Sequence, residues 1–283
     1  MLMQPFKYIN AVLFRKFFYR WSKKEKEVVY CTFFGAKMRL LLPSSTDIYL
    51  TGGKSHESEI RLARFMINNL NSGDTFMDVG AHYGYFTLLG SVLVGSDGKV
   101  YSFEASPTTY KLLRKNTFEK TNIESHNLAV ADEVSELAFY EFPNLYSEYN
   151  TLDAAQFRHE SWFSEYAPRK ISVKSIVLDE FTESRQARPK IVKIDVEGAE
   201  CKVINGLSGY LSKNSPWVVM EYLSQERGNQ GHQDAEKKLN SLGYTACTID
   251  ASGHLCQTDR TVSEYLEAKK LESDNIVFVK RIG

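Results

Sequence analysis

The 283-residue chain is poor in the features that assign a protein at sight. Its four cysteines, Cys31, Cys201, Cys247 and Cys256, make no C-x-x-C pair and no His/Cys metal spacing. That argues against a disulfide framework and a structural zinc, and sets a reduced cytoplasmic compartment as the expectation. Excess charge of one sign is lacking, because 35 basic and 35 acidic side chains cancel. The chain therefore has no nucleic-acid footprint, and it also has no Asn/Asp-Pro-Pro-Tyr/Phe base-flipping motif. No apolar run is long enough to cross a bilayer, and no small-residue cleavage site follows the first one. Repeats, low-complexity tracts and interdomain linkers are missing. So is a G-x-G-x-x-G loop, which counts against an NAD- or nucleotide-sugar-dependent oxidoreductase.

With 43% hydrophobic residues the chain can bury a full core. Residues 51–283 are expected to form one α/β domain, preceded by an extension over residues 1–50. From Phe6 to Lys24 that extension carries Lys7, Arg15, Lys16, Arg20, Lys23 and Lys24 and no acid. Phe6, Ile9, Leu13, Phe17 and Trp21 recur at helical spacing, widened by Phe14 and Phe18. Two uses fit such a helix. It can dock on the domain or on a second copy in a homo-oligomer, or it can lie on an anionic membrane face over residues 6–24. Docking is preferred, since an aromatic stripe more often packs than anchors. A hairpin turning at Gly35 should follow, over 28–33 and 37–41.

Beyond residue 56 helices and strands alternate, the pattern of a doubly wound parallel sheet. Helix 56–70 is followed by strand 75–79, helix 85–94, strand 99–103, helix 107–118 and strand 124–130. Two extended runs, 136–142 and 171–175, bracket a Tyr-rich stretch from Asn144 to Pro168. Strand 191–194, helix 199–211, strand 217–222, helix 234–242 and strands 244–249 and 275–280 complete the pattern.

The most telling stretch is Phe76-Met77-Asp78-Val79-Gly80-Ala81-His82-Tyr83-Gly84-Tyr85-Phe86-Thr87, a strand breaking into a glycine turn and a helix. The next strand ends on Glu104, where a ribose-binding acid belongs, on the order of 20 residues downstream. Asp78 stands where a dinucleotide loop would place its first glycine. A carboxylate there repels phosphate but accepts hydrogen bonds from ammonium or hydroxyl groups. S-adenosylmethionine has no phosphate, and it carries a sulfonium, an amino group and a ribose diol. The chemistry favours it over NAD.

These residues resemble the FkbM-type S-adenosylmethionine-dependent methyltransferases, a class I family. The match continues through Val100-Tyr101-Ser102-Phe103-Glu104-Ala105-Ser106-Pro107 and Asn127-Leu128-Ala129-Val130-Ala131-Asp132. It then takes in Lys193-Ile194-Asp195-Val196-Glu197-Gly198-Ala199-Glu200 and Val218-Val219-Met220-Glu221. The chain departs from the family at His82, commonly asparagine, and at Ala105, commonly proline. The resemblance implies a Rossmann-like class I methyltransferase sheet. It implies that Gly80, Ala81 and Gly84 pass backbone along the methionine end of the cofactor, with Asp78 orienting that end. Glu104 would hold both ribose hydroxyls, Ala105 and Ser106 would flank the adenine, and Ala129, Val130 and Asp132 would meet its amine. A catalytically silent protein on this fold is the rival from another class, and the intact motifs argue against it.

Methyl transfer to a hydroxyl needs a group to take the proton. The candidates are Asp195 and Glu221 at strand ends, with His82 and His56. Glu197 is balanced between chemistry and the helix dipole, and Glu200 is assigned to the dipole alone. His126, His159, His232 and His254 read as surface or loop residues. A divalent cation on Asp195 and Glu221 ranks below a metal-free site. The expected acceptor is a sugar or glycan hydroxyl or a related natural product. Tyr146, Tyr149, Trp162, Phe163 and Tyr166 are offered as a carbohydrate-stacking lid, against the alternative of a loop packed on itself.

Overall fold

In the computed structural model, which describes residues 5–258 and 260–280, strands and helices alternate as the sequence pattern predicts. The strands are β1 (Lys26–Cys31), β2 (Lys37–Leu42), β3 (Thr75–Val79), β4 (Lys99–Phe103), β5 (Ile123–His126), β6 (Ala129–Val130) and β7 (Glu136–Glu141). They continue with β8 (Arg169–Ile176), β9 (Pro189–Ile194), β10 (Trp217–Leu223), β11 (Tyr244–Ile249), β12 (Leu255–Gln257) and β13 (Ser273–Lys280). A large sheet runs in the order β12-β11-β13-β10-β9-β3-β4-β5. From β10 to β5 every neighbour is parallel, whereas β13 runs antiparallel to both β10 and β11. This is a Rossmann-like, doubly wound sheet. The chain moves outward from β3 through β4 to β5, then returns to place β9 on the other side of β3. The crevice at the carboxyl ends of β3 and β9 is therefore the topological switch point, where such sheets bind ligands.

Alternation explains why the central strands are apolar throughout. Successive side chains point to opposite faces, and helices cover both. Phe76, Ile191 and Val219 enter the core beneath helices Glu57–Asn69 and Tyr85–Val94, together with Leu62, Phe65 and Leu88. Their neighbours Met77, Val192 and Val218 face the other layer, with Val203, Ile204, Leu239 and Leu266. Each fully buried side chain of this kind stabilises the fold by roughly 1.5–3 kcal/mol. Met38 and Leu40 of the β1–β2 hairpin, with Ile48 of helix Thr46–Thr51, join the first of these layers.

Several local expectations are corrected. The strand expected over 124–130 is broken, because the Asn127 amide donates to the carbonyls of Glu104 (2.8 Å) and Ala105 (3.0 Å). The chain then crosses so that β6 pairs with β8 in a separate three-stranded sheet, completed by β7. The helix expected over 199–211 is two, Glu200–Gly206 and Ser208–Lys213. The second is capped by Asp179, whose carboxylate accepts the N–H groups of Gly209 (2.8 Å) and Tyr210 (2.7 Å). Helix Val262–Lys269, with a Thr261/Glu264 capping box, had no counterpart in the expected pattern.

The N-terminal helix exists over Pro5–Ser22, but its middle, Phe14–Tyr19, is π-helical. It docks through Ala11 and Tyr19, both buried. The stripe expected to pack is instead exposed at Ile9, Leu13, Phe17, Phe18 and Trp21. The side chains of Phe6, Arg15 and Lys16 lie outside the described ones. Among the described residues, no helix is long and apolar enough to cross a membrane.

Candidate active site

A cavity of about 430 Å³ opens at the switch point. Its floor is the turn after β3, and Gly80 shows why that turn tolerates no side chain. Gly80 has φ +80°, and a Cβ there would lie 1.7 Å from the carbonyl oxygen of Asp195. The β3 and β9 ends touch backbone to backbone, with Asp195 N–H donating to the Val79 carbonyl at 3.0 Å.

On one side of this seam stands Glu104, almost fully buried. One of its oxygens accepts the His82 N–H and the other the Ser106 N–H, each at 2.9 Å. Both oxygens keep lone pairs for a ligand, since a carboxylate accepts about four hydrogen bonds. Burial raises its pKa to about 7, against the pull of those two N–H donors.

On the other side, Lys193, one residue before the end of β9, is buried between two acids. Its ammonium lies 3.0 Å from Asp195 and 3.6 Å from Asp78. Burial works against the Lys193 charge, but Asp195 and Asp78 outweigh it and hold the ammonium protonated. Asp195 is likewise held below its usual range, because Lys193 and a hydrogen bond with Glu221 overcome burial. Glu221 and Glu197 are pushed well above theirs, by burial first and then by the neighbouring carboxylates. Oxygens of Asp195, Glu197 and Glu221 all lie within 4.8 Å of one another. Glu197 sits at φ +52°, and its carbonyl is clamped by Thr151 (2.7 Å) and the Gln156 amide (2.8 Å).

A crevice at a switch point, a glycine seam and a buried diol-sized carboxylate describe a nucleoside site of several possible kinds. The family model of the methyltransferase FkbM domain matches residues 78–246. The chain belongs to that family.

Its cofactor is accordingly S-adenosylmethionine. The chain is also similar to solved structures of low identity. One is a precorrin-6y C5,15-methyltransferase from Geobacter metallireducens (13% identity, 79% of this chain and 88% of that one, TM-score 0.42). A second is an S-adenosylmethionine-dependent O-methyltransferase from Thermotoga maritima (14%, 90% and 78%, TM-score 0.42). A third is an O-methyltransferase from Bacillus cereus in complex with SAH (11%, 81% and 83%, TM-score 0.44).

The residues of this FkbM methyltransferase fit the cofactor's chemistry. The Gly80 cradle brings ligand against bare backbone, and Glu104 presents two oxygens for a ribose diol. Buried Asp78 supports this wall from behind, with Oδ1 facing Lys193 at 3.6 Å and Oδ2 accepting from Thr87 at 2.6 Å. Gly80, Glu104, Ala105, Ala129 and Val130 line the cavity, as do His56, His82, Asp195 and Glu221.

The others act from behind it or lie elsewhere. Asp78 sits one layer below, beside Lys193. Ala81 lines a smaller adjoining pocket with His82 and Tyr83. Gly84 gives room to Leu113, whose Cδ1 would be 2.7 Å from a Cβ there. Ser106 caps helix Pro107–Thr117 by accepting the Thr109 N–H (3.0 Å), and its hydroxyl donates to Glu141. It orients Glu104 and does not reach the cavity. Asp132 is exposed and paired with Lys202 at 3.5 Å, outside the cavity.

The two histidines separate. Burial, helped by the charge of Lys54, lowers the His82 pKa to about 3. Its Nε2 shares a 2.8 Å hydrogen bond with Ser147 Oγ, and Ser147 in turn donates to the Asn144 carbonyl. The network therefore puts the His82 proton on Nε2. Such an imidazole is a poor base and a good tether for the segment that roofs the cavity. His56 is exposed on the rim at the start of helix Glu57–Asn69.

Sequence reasoning missed three contributors. Glu200 is buried, and its Oε1 accepts the N–H groups of Val196 and Gly198 (both 3.3 Å), so it shapes the loop after β9 as well as beginning a helix. His232, expected at the surface, is buried 3.3 Å from Glu200. Lys54, paired with Glu59 at 2.8 Å, puts a second cation in the cavity wall. Burial opposes that charge, but Glu59 and Asp47 hold it protonated. An acid following an Asp-x-Glu-Gly-Ala run gave some signal for Glu200, whereas nothing local marks His232.

The aromatic segment packs largely on itself. Trp162 stacks on Tyr146 (4.2 Å between centroids) and on Tyr149 (5.1 Å), with Phe142 and Phe157 closing the cluster. Of the five aromatics offered as a lid surface, Tyr149 lines the cavity.

Proposed function

We propose that this methyltransferase is an O-methyltransferase acting on a hydroxyl of a sugar, a glycan or a related polyhydroxylated natural product. One observation carries the reading: three carboxyl groups converge at the ends of β9 and β10, with Lys193 beneath them. S-adenosylmethionine supplies a methyl group on a cationic sulfur, an activated electrophile. An attacking hydroxyl must then lose its proton to a group within hydrogen-bond reach. Lys193 favours the ionised form of Asp195, so Asp195 accepts the hydrogen bond of the attacking hydroxyl and aims its lone pair at the methyl group. Glu221, pushed well above the usual carboxylate range by burial and then by Asp195, hydrogen-bonds to Asp195 and is the more basic of the two. The ionised pair therefore takes up the hydroxyl's proton and holds it as one shared proton. Lys193 balances Asp195 from the side of Asp78, whereas Asp195, Glu197 and Glu221 themselves lie close enough to hold a divalent cation. Activity that survives EDTA is therefore the mark of the metal-free mechanism proposed here.

The wall supports the choice of acceptor. Asp47, Glu59, Glu148 and Glu197 join Asp195 and Glu221 around the cavity, against Lys54, Lys193 and Arg227. Such a wall repels phosphorylated or carboxylated acceptors and offers hydrogen-bond acceptors to hydroxyls. Tyr149 adds one flat face against which a sugar ring can pack.

The test is transfer of labelled methyl from the cofactor to a panel of glycans and polyols, with mass spectrometry of the products. Alkali-stable methyl ethers are expected, lost in Asp195→Asn and Glu221→Gln. Label in alkali-labile esters, or on nitrogen, would overturn the assignment.

A further inference from the structure

The N-terminal helix is two-faced in a way the active site does not use. Its inner face is tied down: Ala11 and Tyr19 are buried, and the Lys7 ammonium lies 4.1 Å over the Tyr30 ring. Lys23 bonds Glu165 and the Tyr166 hydroxyl, both at 2.5 Å. The outer face carries Ile9, Leu13, Phe17 and Trp21 at intervals of four, with Trp21 88% and Phe17 69% exposed. In a pure α-helix such spacing drifts around the axis. The π-helical stretch Phe14–Tyr19 holds more residues per turn and brings the four back into one line.

We propose that this face is an in-plane anchor for an anionic lipid surface. The segment from Phe6 to Lys24 has six lysines and arginines and no acid. Lys7 and Lys23 are taken up on the inner face, whereas Arg20 and Lys24 are exposed and have no ion pair among the described residues. Pairing two copies of the helix face to face would set these two cations against their equivalents with nothing to neutralise them. Anionic headgroups supply the missing counter-charge, while the aromatic and aliphatic side chains enter the acyl boundary. The inner face also reaches the active site. The Asn144 amide donates to Glu25 (2.6 Å) just beyond the helix, and residues 147–150 of the same segment roof the cavity. A lipid-seated helix therefore holds the cavity roof near the headgroup layer. The anchor is independent of which acceptor is methylated.

The test is flotation of the full chain with phosphatidylcholine vesicles, with and without phosphatidylglycerol. Flotation is expected with the anionic vesicles, reversed by salt, with a blue shift in tryptophan emission that Trp21→Phe abolishes. Phe17→Ser with Trp21→Ser should weaken binding by at least ~tenfold at an unchanged melting temperature, since both side chains are exposed. Arg20→Glu with Lys24→Glu should remove the preference for anionic lipid. Equal binding to both vesicle types, no binding to either, or full binding by the serine variant would overturn the anchor. So would a lipid-free dimer, seen by sedimentation velocity, that the serine variant dissolves.

Discussion

The two ends of the cavity are built differently. The end proposed for the cofactor is made within about 30 residues of chain: β3, its glycine turn, β4 and Glu104. Its central carboxylate is satisfied by neighbouring backbone, the His82 and Ser106 N–H groups donating to Glu104. The end proposed for the acceptor is assembled from the ends of β9 and β10, from residues between 44 and 59 and from residues 147–152, and it crowds like charges together. Asp195, Glu197 and Glu221 would repel one another if all were ionised, and Lys193, 3.0 Å from Asp195, favours the charge on that one. The first end grips by shape and fixed donors. The second stores unfavourable electrostatics, as proton-transferring sites do.

The largest effect should come from the seam that joins them. Gly80→Ala drives a methyl group into the Asp195 carbonyl and strains a positive φ, so both ends should fail together. A loss of about 4 kcal/mol or more is expected in chemical denaturation. Lys193→Met should come next, costing about 3–5 kcal/mol by leaving Asp78 and Asp195 buried without their cation. Activity in that variant should also collapse, because Asp195 would no longer be held ionised. Recovery in Lys193→Arg of stability but not of rate would sharpen the comparison.

Glu104 gives a smaller effect with a sign that depends on pH. Its pKa rises from 4.5 to about 7 on folding, so the folded state binds that proton more tightly than the unfolded chain. Stability is therefore greatest below the unfolded value and declines as pH rises through 7. The wild-type loss attributable to it is on the order of 3 kcal/mol. Glu104→Gln should flatten that decline in melting curves recorded without cofactor. Smallest is Trp162→Ala, which opens the aromatic cluster under the roof and should cost about 2 kcal/mol. It should raise the acceptor KM while leaving cofactor affinity unchanged. Loss of cofactor affinity there would mean that the two ends are not separable.

The same division explains what could be read from sequence. Strand β3, the Gly80 turn and Glu104 are contiguous or one β-α-β unit apart, so spacing alone located them. The Asp195 loop was legible for the same reason. Ser106 and Asp132 were misplaced because one or two residues of chain direction decide whether a side chain enters the cavity or caps a helix. His232 pairs with Glu200 across 32 positions, and no local pattern encodes that contact. The N-terminal stripe was recognised as amphipathic, but periodicity does not say which side of a helix docks. Tyr19 and Ala11 settle that through contacts with distant segments.

The most direct test of the divided cavity is titration calorimetry with S-adenosylhomocysteine on wild type, Glu104→Ala and Asp195→Asn. The account predicts at least ~tenfold weaker binding for Glu104→Ala and a change within about twofold for Asp195→Asn. Unchanged affinity in Glu104→Ala, with the loss falling on Asp195→Asn, would contradict it.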